Sequence, residues 1–566
     1  MTDLLISLLA AFAQCDRAAF LRKTHDPAKA QADFLRSLLQ VQKDTVLGQL
    51  HGLGEIQTVD QFRQRVPIWP YQNYEPYIAR AIAGKPNVMT ADPVVYFNMT
   101  SGSTGSKKMI PVTRRSRNEV EKVNRLGIAF AAAAAHKRGL SLGKMLLASS
   151  AQSMGKTENG TPYGPVSVSG LRLMNGIYRR IFAYPFEALQ VGDFETRHYV
   201  CLAFALREKN LKVIGANFPV LGLRLAQYLE QYSETLVNDV RNGGFADGLP
   251  IEPDLRAKLE RLCPPNPKRA DELEAILRTE GRLTPKAVWP NLSLIITARG
   301  GTSNFYLERF PEYFGDVPVY GGTYASAEAI FGIHRDANTD GVIPALSSGF
   351  YEFIPEDQWE VENPQTKLVH ELTVGDRYRI LVTNYNGLYR YDIGDVVEVE
   401  GYYNDTPTPL IIFRHRKGGV LCATTEKTTE FHVIQTMQQL QQEFDVALEN
   451  FCVTLSKDLP SYYLLNIELA DGQTLDNPQR FLHRFEAVLT KVQESYAAKR
   501  KGQIPPPHLR ILAPGSFAQV RQRMIQRGVF EPQLKFPHIS DDRQLLDGLT
   551  VLDEVPFAQE AIAARR

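Results

Sequence analysis

The sequence predicts an α/β protein in which a large multi-sheet N-terminal domain, residues 1–415, is joined across a hinge to a smaller α+β C-terminal domain, residues 416–566. Three observations carry this. At 566 residues the chain is too long for one ordinary core. Between about residue 60 and residue 415, short apolar runs alternate with helical stretches, the pattern of crossover units around a buried sheet. Near residue 415 the composition changes: Arg414-His-Arg-Lys-Gly-Gly419 is basic and glycine-rich, and a compact β/α pattern starts after it.

The first 60 or so residues read as helices, because Phe34, Leu38, Leu39 and then Val46, Leu47, Leu50 recur at helical spacing. Leu4 to Ala13 has the length of a secretory apolar segment, but Asp3 precedes it without any Lys or Arg. Gln14-Cys15 is also a poor processing site, so an amphipathic first helix is expected. The Ala-rich Ile128 to Ala135 is part of a helix and too short to span a bilayer. Lys212-Val-Ile-Gly-Ala216, Leu292-Ser-Leu-Ile-Ile-Thr297 and Val317-Pro-Val-Tyr320 are short apolar strands bounded by turn residues. Gly349 to Ile354 and Arg377 to Thr383 alternate with polar residues, as antiparallel strands do. In the small domain a helix is expected from about Thr429, a strand at Tyr462 to Glu468 and a helix from Asn477, with Gly502 to His508 as a stiff proline-rich connector.

Lys+Arg 64 against Asp+Glu 63 leaves a formal charge of +1, which provides no global field for nucleic acid or an anionic membrane; neither is expected as a partner. Any phosphate binding must be local. The five cysteines, Cys15, Cys201, Cys263, Cys422 and Cys452, are widely spaced, odd in number and without Cys-x-x-Cys. They argue against a disulfide framework or structural zinc and favour a reducing cytoplasm. Oligomeric state is not readable, and a monomer is compatible with the sequence.

The most informative stretch is Thr100-Ser-Gly-Ser-Thr-Gly-Ser-Lys-Lys108, between the strand-like Val94-Val-Tyr-Phe-Asn98 and the run Met109-Ile-Pro-Val-Thr113. Gly102 and Gly105 let backbone N–H groups approach an anion, while hydroxyls and lysines add donors and charge. It is not a Walker A loop, since Ser106 follows Gly105 where that pattern needs Lys. Alone it reads equally as a solvated Ser/Gly loop. Tyr320-Gly-Gly-Thr-Tyr-Ala-Ser-Ala-Glu328 offers an aromatic that can stack on a base and a carboxylate that can hold magnesium, or simply a strand end with a surface Glu. In Gly387-Leu-Tyr-Arg-Tyr-Asp-Ile-Gly-Asp395 an Asp after a glycine turn suits two ribose hydroxyls, though a solvated Asp would look similar. Arg414, Arg416 and Lys417 could contact ribose or phosphate or be a solvated linker. Lys535, in Gly528-Val-Phe-Glu-Pro-Gln-Leu-Lys-Phe-Pro537, is either surface charge or a lysine carried into a cleft.

These segments, in this order, resemble the adenylate-forming enzymes that activate carboxylic acids with ATP. Among them the chain looks like the Gretchen Hagen family of acyl acid amido synthetases. The resemblance spans nearly the whole chain and includes Val66-Pro-Ile-Trp-Pro-Tyr-Gln-Asn-Tyr-Glu-Pro-Tyr77, Glu426-Lys-Thr-Thr-Glu430 and Gly515-Ser-Phe. Plant members usually show two serines where this chain has Met99-Thr100, Ser-Ser-Glu where it has Ala-Ser-Ala-Glu, and an aromatic where it has Leu534. Asp392 stands where an Arg or Val-like neighbour is common. The departures point to a bacterial-type member and leave the acyl and amine substrates open.

The resemblance implies that a small carboxylic acid attacks ATP to give an acyl-adenylate and pyrophosphate, and that an amine, expected to be an amino acid, then displaces AMP. Thr100, Ser101, Ser103, Thr104 and Lys107 would cradle phosphates. Thr323, Tyr324 and Ser326 would line the nucleotide site with Tyr324 against adenine, and Asp395 would hold ribose. Glu328 would bind Mg2+, and Arg414, Lys417 and Lys427 would contact the nucleotide. Lys535 would stabilise the adenylation transition state, with a swing about 414–419 removing it afterwards. An acyl-CoA ligase sharing the first half-reaction and a catalytically silent nucleotide-binding protein remain the alternatives. Tyr163 to Ser169, Met174, Tyr178 to Arg180 and Phe218 are compatible with an acyl pocket or with plain core.

Overall fold

The computed structural model describes all residues except Met1, 102–106, 152–153, 169–178, 302, 417–418, 425, 502, 527–533, 535 and 558–566, with 2–12, 100, 101 and 107 described by their backbone alone. The chain divides into two compact units, Met1–Phe413 and Arg414–Arg566.

Three of the sequence's apolar runs become neighbouring strands. Met145–Ala148, Val213–Ala216, Leu294–Ile296 and Val319–Tyr320 lie in that order as a parallel sheet. The intervening helices include Phe194–Ala205, nearly all of whose residues are buried, and Pro219–Gln231. Gly215 lies in the middle of this sheet because a Cβ there would meet the Leu147 side chain at 2.9 Å.

A second, eight-stranded sheet carries Tyr324, Tyr391 and Asp395 on its strands. Its order is Lys367–Leu368, Phe350–Pro355, Arg377–Asn384, Leu388–Tyr402, Pro409–Arg416, Val342–Pro344, Ile330–His334, Thr323–Ala325. Phe350 to Pro355 pairs antiparallel with Tyr378 to Thr383, as their alternation suggested. Strands remote in sequence thus end as neighbours over one core, which includes Phe331, Phe353, Tyr378 and Tyr391. The basic run Arg414 to Arg416 is the end of the strand Pro409–Arg416 rather than an irregular linker.

The serine-rich loop joins two strands of a third sheet. Val94–Ser101 pairs antiparallel with Lys107–Thr113, closing on Ser101 opposite Lys107, and residues 102–106 lie outside the described set. The helix Arg114–His136 follows at once because the Thr113 hydroxyl and Ser116 cap each other's backbone amides reciprocally.

The small unit has a mixed five-stranded sheet ordered Ile539–Ser540, Leu448–Leu455, Tyr463–Leu469, His508–Leu512, Val551–Val555. Asn477 caps the helix Pro478–Val492 through the Arg480 amide at 2.9 Å, with Pro478 pre-set for the first turn. Among the described residues no helix is long and apolar enough to cross a membrane.

Three fully enclosed histidines make stability pH-dependent. His198, His334 and His538 present Nδ1 to the backbone carbonyls of Phe194, Thr339 and Phe451 at 2.8, 3.0 and 3.1 Å. Burial pushes their pKa down to about 3, about 4 and about 4 respectively. Below about pH 6.5 the unfolded chain takes up protons that these folded rings refuse, so stability present at neutral pH is lost as pH falls toward the folded values. Denaturant titrations at pH 7 and pH 5 should show a loss on the order of 2 kcal/mol per histidine, and replacing His198 by Gln should flatten the dependence.

Candidate active site

Glu328 and Asp395, which the sequence left open as surface groups, are both buried, at 3% and 2% exposure. A buried carboxylate has to be held by donors, and each is. The Tyr324 hydroxyl donates to Asp395 Oδ2 at 2.8 Å across 71 residues of sequence. The Tyr391 hydroxyl donates to Glu328 Oε1 at 3.2 Å across 63 residues. The strand Leu388–Tyr402 carries both Tyr391 and Asp395, so one element sets the position of both carboxylate contacts.

The turn bearing Glu328 is fixed by its own backbone. The Ser326 N–H donates to the Ala329 carbonyl at 2.8 Å, while Ser326 Oγ accepts from the Glu328 and Ala329 amides at 3.1 and 3.4 Å. Ser326 therefore shapes the turn. Asn98 donates to the Ala327 carbonyl at 3.2 Å, and Asn384 and Asn386 to the Glu328 carbonyl at 2.8 and 3.2 Å. Three asparagines from two separate segments thus aim this one turn. The Asn386 Oδ1 is buried without a hydrogen-bond partner.

Three glycines here have steric or backbone causes. A Cβ on Gly321 would lie 2.2 Å from the His334 imidazole, and Gly322 adopts φ +66°. At Gly387, φ +79°, a Cβ would meet the Met89 carbonyl oxygen at 2.4 Å. Tyr320, next to the first pair, is a core residue whose hydroxyl donates to the His334 carbonyl at 2.9 Å, so Tyr324 is the aromatic that reaches the site. Its ring is tilted against Phe331 and Phe413, with centroids 4.9 and 5.6 Å away.

Arg390 backs the site. It holds a left-handed φ of +47°, and its guanidinium meets Glu352 at 2.9 Å and donates to the Arg63 and Val66 carbonyls at 2.8 and 2.9 Å. Beside it Asp392 pairs with Arg379 at 3.2 Å and accepts from the Gly394 amide at 2.9 Å. This alternation sends Arg390 and Asp392 to scaffold contacts and Tyr391 to Glu328.

The remaining expected residues fall in three groups. Thr100, Ser101 and Lys107 are strand residues flanking the loop and Thr323 begins the strand of Tyr324, whereas Ser103, Thr104, Lys417 and Lys535 lie outside the described residues. In the small unit Arg414 stands over the Phe431 ring at 5.0 Å. Lys427 takes φ +52°, and its carbonyl accepts from the Gln493 amide at 3.0 Å. Of the possible acyl-pocket residues, 169–178 lie outside the described set, and Tyr163 pairs with Phe97 in the loop-bearing sheet.

Sequence reasoning assigned no role to Tyr391, Asn98, Asn384 or Asn386. Tyr391 was legible in principle, since strand alternation puts it on the opposite face from Arg390 and Asp392. The asparagines act on two backbone carbonyls from segments remote in sequence and left no local signal.

Among the described residues no group of three or more His, Cys, Asp or Glu gathers as a metal cage. The donors at the Glu328 turn are oxygens, a carboxylate and the unpartnered Asn386 Oδ1, which suit a hard cation that takes its remaining ligands from water and phosphate.

Known proteins match this chain along its length. Family profiles described as the GH3 family N-terminal, central and C-terminal domains match residues 16–319, 342–416 and 431–544. An indole-3-acetic acid-amido synthetase of Arabidopsis thaliana is 24% identical, covering 93% of this chain and 95% of its own. A solved acyl acid amido synthetase in complex with 2,4-DB superposes with a TM-score of 0.85 at 21% identity, covering 97% of this chain and 98% of its own. A 2-hydroxyisobutyryl-CoA ligase in its postadenylation state superposes at 0.52 with 12% identity over 96% and 90% of the two chains, a likeness of fold.

Arg390→Ala would leave the Glu352 carboxylate, 1% exposed, without its bidentate partner. The large unit should lose about 3–5 kcal/mol in denaturant unfolding. Arg390→Lys should recover only part of this, because an ammonium cannot reproduce the fork.

Proposed function

This chain belongs to the GH3 family, and we propose that it is an ATP-dependent acyl acid amido synthetase that adenylates a small carboxylic acid and passes the acyl group to an amine, an amino acid by preference. The observation that carries the reading is the pairing of Tyr324 with Asp395 and of Tyr391 with Glu328, which brings the Tyr320–Glu328 and Gly387–Asp395 segments together as two buried carboxylates held by tyrosines.

In the first half-reaction a carboxylate oxygen attacks the α-phosphorus of ATP, the bond from that phosphorus to the bridging oxygen breaks, and pyrophosphate leaves. In the second, the lone pair of a neutral amine attacks the acyl carbon, the bond to the phosphate oxygen breaks, AMP leaves and the nitrogen gives up one proton. Neither step needs covalent help from the protein, so positioning and charge neutralisation must supply the rate.

Each group has a task in this scheme. Thr100, Ser101, Ser103, Thr104 and Lys107 cradle the phosphates from the loop. Tyr324 flanks adenine, with Thr323 and Ser326 beside it. Asp395, whose ionised carboxylate is an acceptor only, accepts from the ribose hydroxyls. Glu328, aimed by Tyr391, is the protein's ligand for Mg2+, which when bound neutralises phosphate charge. Arg414, Lys417 and Lys427 add positive charge toward the nucleotide. Lys535 neutralises the α-phosphate in the adenylation transition state, and its place in the small unit requires a hinge near 414–419 that brings it in and takes it away.

The purified protein, given a panel of aromatic, indolic and aliphatic acids, should catalyse acid-dependent ATP–pyrophosphate exchange. Lys535→Ala should lower exchange on the order of a hundredfold, the effect of deleting one transition-state donor, while ATP still binds. Exchange that survives this change would remove Lys535 from the mechanism. Amino acids and CoA offered in parallel, with products read by mass spectrometry, should give amides and no thioester.

A further inference from the structure

The helix Tyr71–Ile82 lies in a stretch that the proposed chemistry does not use, yet it touches both halves of the site. The strand Lys107–Thr113 is the edge of its sheet, so its outward amides have no neighbouring strand. One of them, the Met109 N–H, donates to the Tyr71 hydroxyl at 2.8 Å. The Lys108 ammonium stands over the same ring, 5.2 Å from its centroid. Met109 is two residues past Lys107, where the serine-rich loop rejoins the strand.

One turn further on, Tyr74 grips the other half. Its hydroxyl donates to the Tyr389 carbonyl at 2.6 Å and accepts from the Tyr389 amide at 2.9 Å. Its ring packs edge-on against Tyr391, centroids 5.8 Å apart, and Tyr391 is the residue that holds Glu328. Trp69, just before the helix, hydrogen-bonds the same strand by its backbone, donating to Arg390 at 3.3 Å and accepting from Asp392 at 2.9 Å. Tyr71 and Tyr74 are 6% and 0% exposed, so both hydroxyls act inside the protein. Spaced by three, they share one helix face.

We propose that this helix is a strut, with Tyr71 and Tyr74 as positioning residues that fix the phosphate-binding hairpin relative to the strand carrying Tyr391 and Asp395. The proposal rests on the nucleotide reading given above. On that reading Lys535 serves the α-phosphate, which leaves the β- and γ-phosphates to the hairpin end that Tyr71 governs. Tyr74 governs the strand end, which serves the adenosine and Glu328. The two therefore differ in which nucleotide they affect, a distinction that general destabilisation of the fold would not produce.

Calorimetric titration of the full chain with ATP and, separately, AMP tests this. Tyr71→Phe should raise the dissociation constant for ATP about five- to tenfold, the effect of one lost buried hydrogen bond, and leave that for AMP within about twofold. Tyr74→Phe should weaken both nucleotides. A Tyr71→Phe protein that binds ATP as before, or that loses ATP and AMP equally, overturns the strut, as does a Tyr74→Phe protein with unchanged affinities. Wild-type protein that binds neither nucleotide overturns the nucleotide reading itself, and the strut with it.

Discussion

A buried ion pair sets the geometry of this site. Arg390 has an unfavourable left-handed backbone and a buried charge, and both are tolerated because Glu352 and two backbone carbonyls hold the guanidinium. Turning the chain at that residue places Tyr391 toward Glu328 and lets the strand continue to Asp395. The two buried carboxylates, Glu328 and Asp395, are thus positioned through an arginine that touches neither. An Arg suits this place because its planar fork binds a carboxylate and carbonyls at once.

Carboxylates also organise the small unit, where they act on backbone rather than on ligand. Glu426, fully buried, accepts from the Ala423 and Thr424 amides and from the Tyr463 hydroxyl at 2.7 Å. Burial alone would raise its pKa, but these hydrogen bonds outweigh burial and hold it low. Glu468 accepts from the Gly515 and Phe517 amides at 2.6 and 2.8 Å, capping the helix Ser516–Gln526. Glu430 accepts from the His538 amide at 2.7 Å, tying down the chain three residues after Lys535. Two segments that mark the family resemblance, Glu426 to Glu430 and Gly515-Ser-Phe, therefore owe much of their composition to capping and anchoring.

What the sequence revealed follows from which physics is local. The strands Val213–Ala216, Leu294–Ile296 and Val319–Tyr320 were legible because a buried parallel strand is apolar on both faces. Helix starts at Asn477 and Thr429 were legible from capping chemistry. Glu328 and Asp395 could be named as candidates, but their burial could not, since it depends on tyrosines some 70 residues away. The asparagines around Ala327 and Glu328, and the strut helix, were invisible for the same reason. The basic segment 414–416 looked like a linker by composition and is strand, because pairing of the preceding residues overrides local preference.

The central claim is that a carboxylate oxygen attacks the α-phosphorus of ATP and that nitrogen then takes the acyl group. An acid labelled with oxygen-18 at both carboxyl oxygens, incubated with the protein, ATP and an amino acid, tests it by mass spectrometry of the products. The mechanism requires AMP carrying one labelled oxygen and an amide retaining the other. Unlabelled AMP, or ADP and phosphate in place of AMP and pyrophosphate, would contradict it.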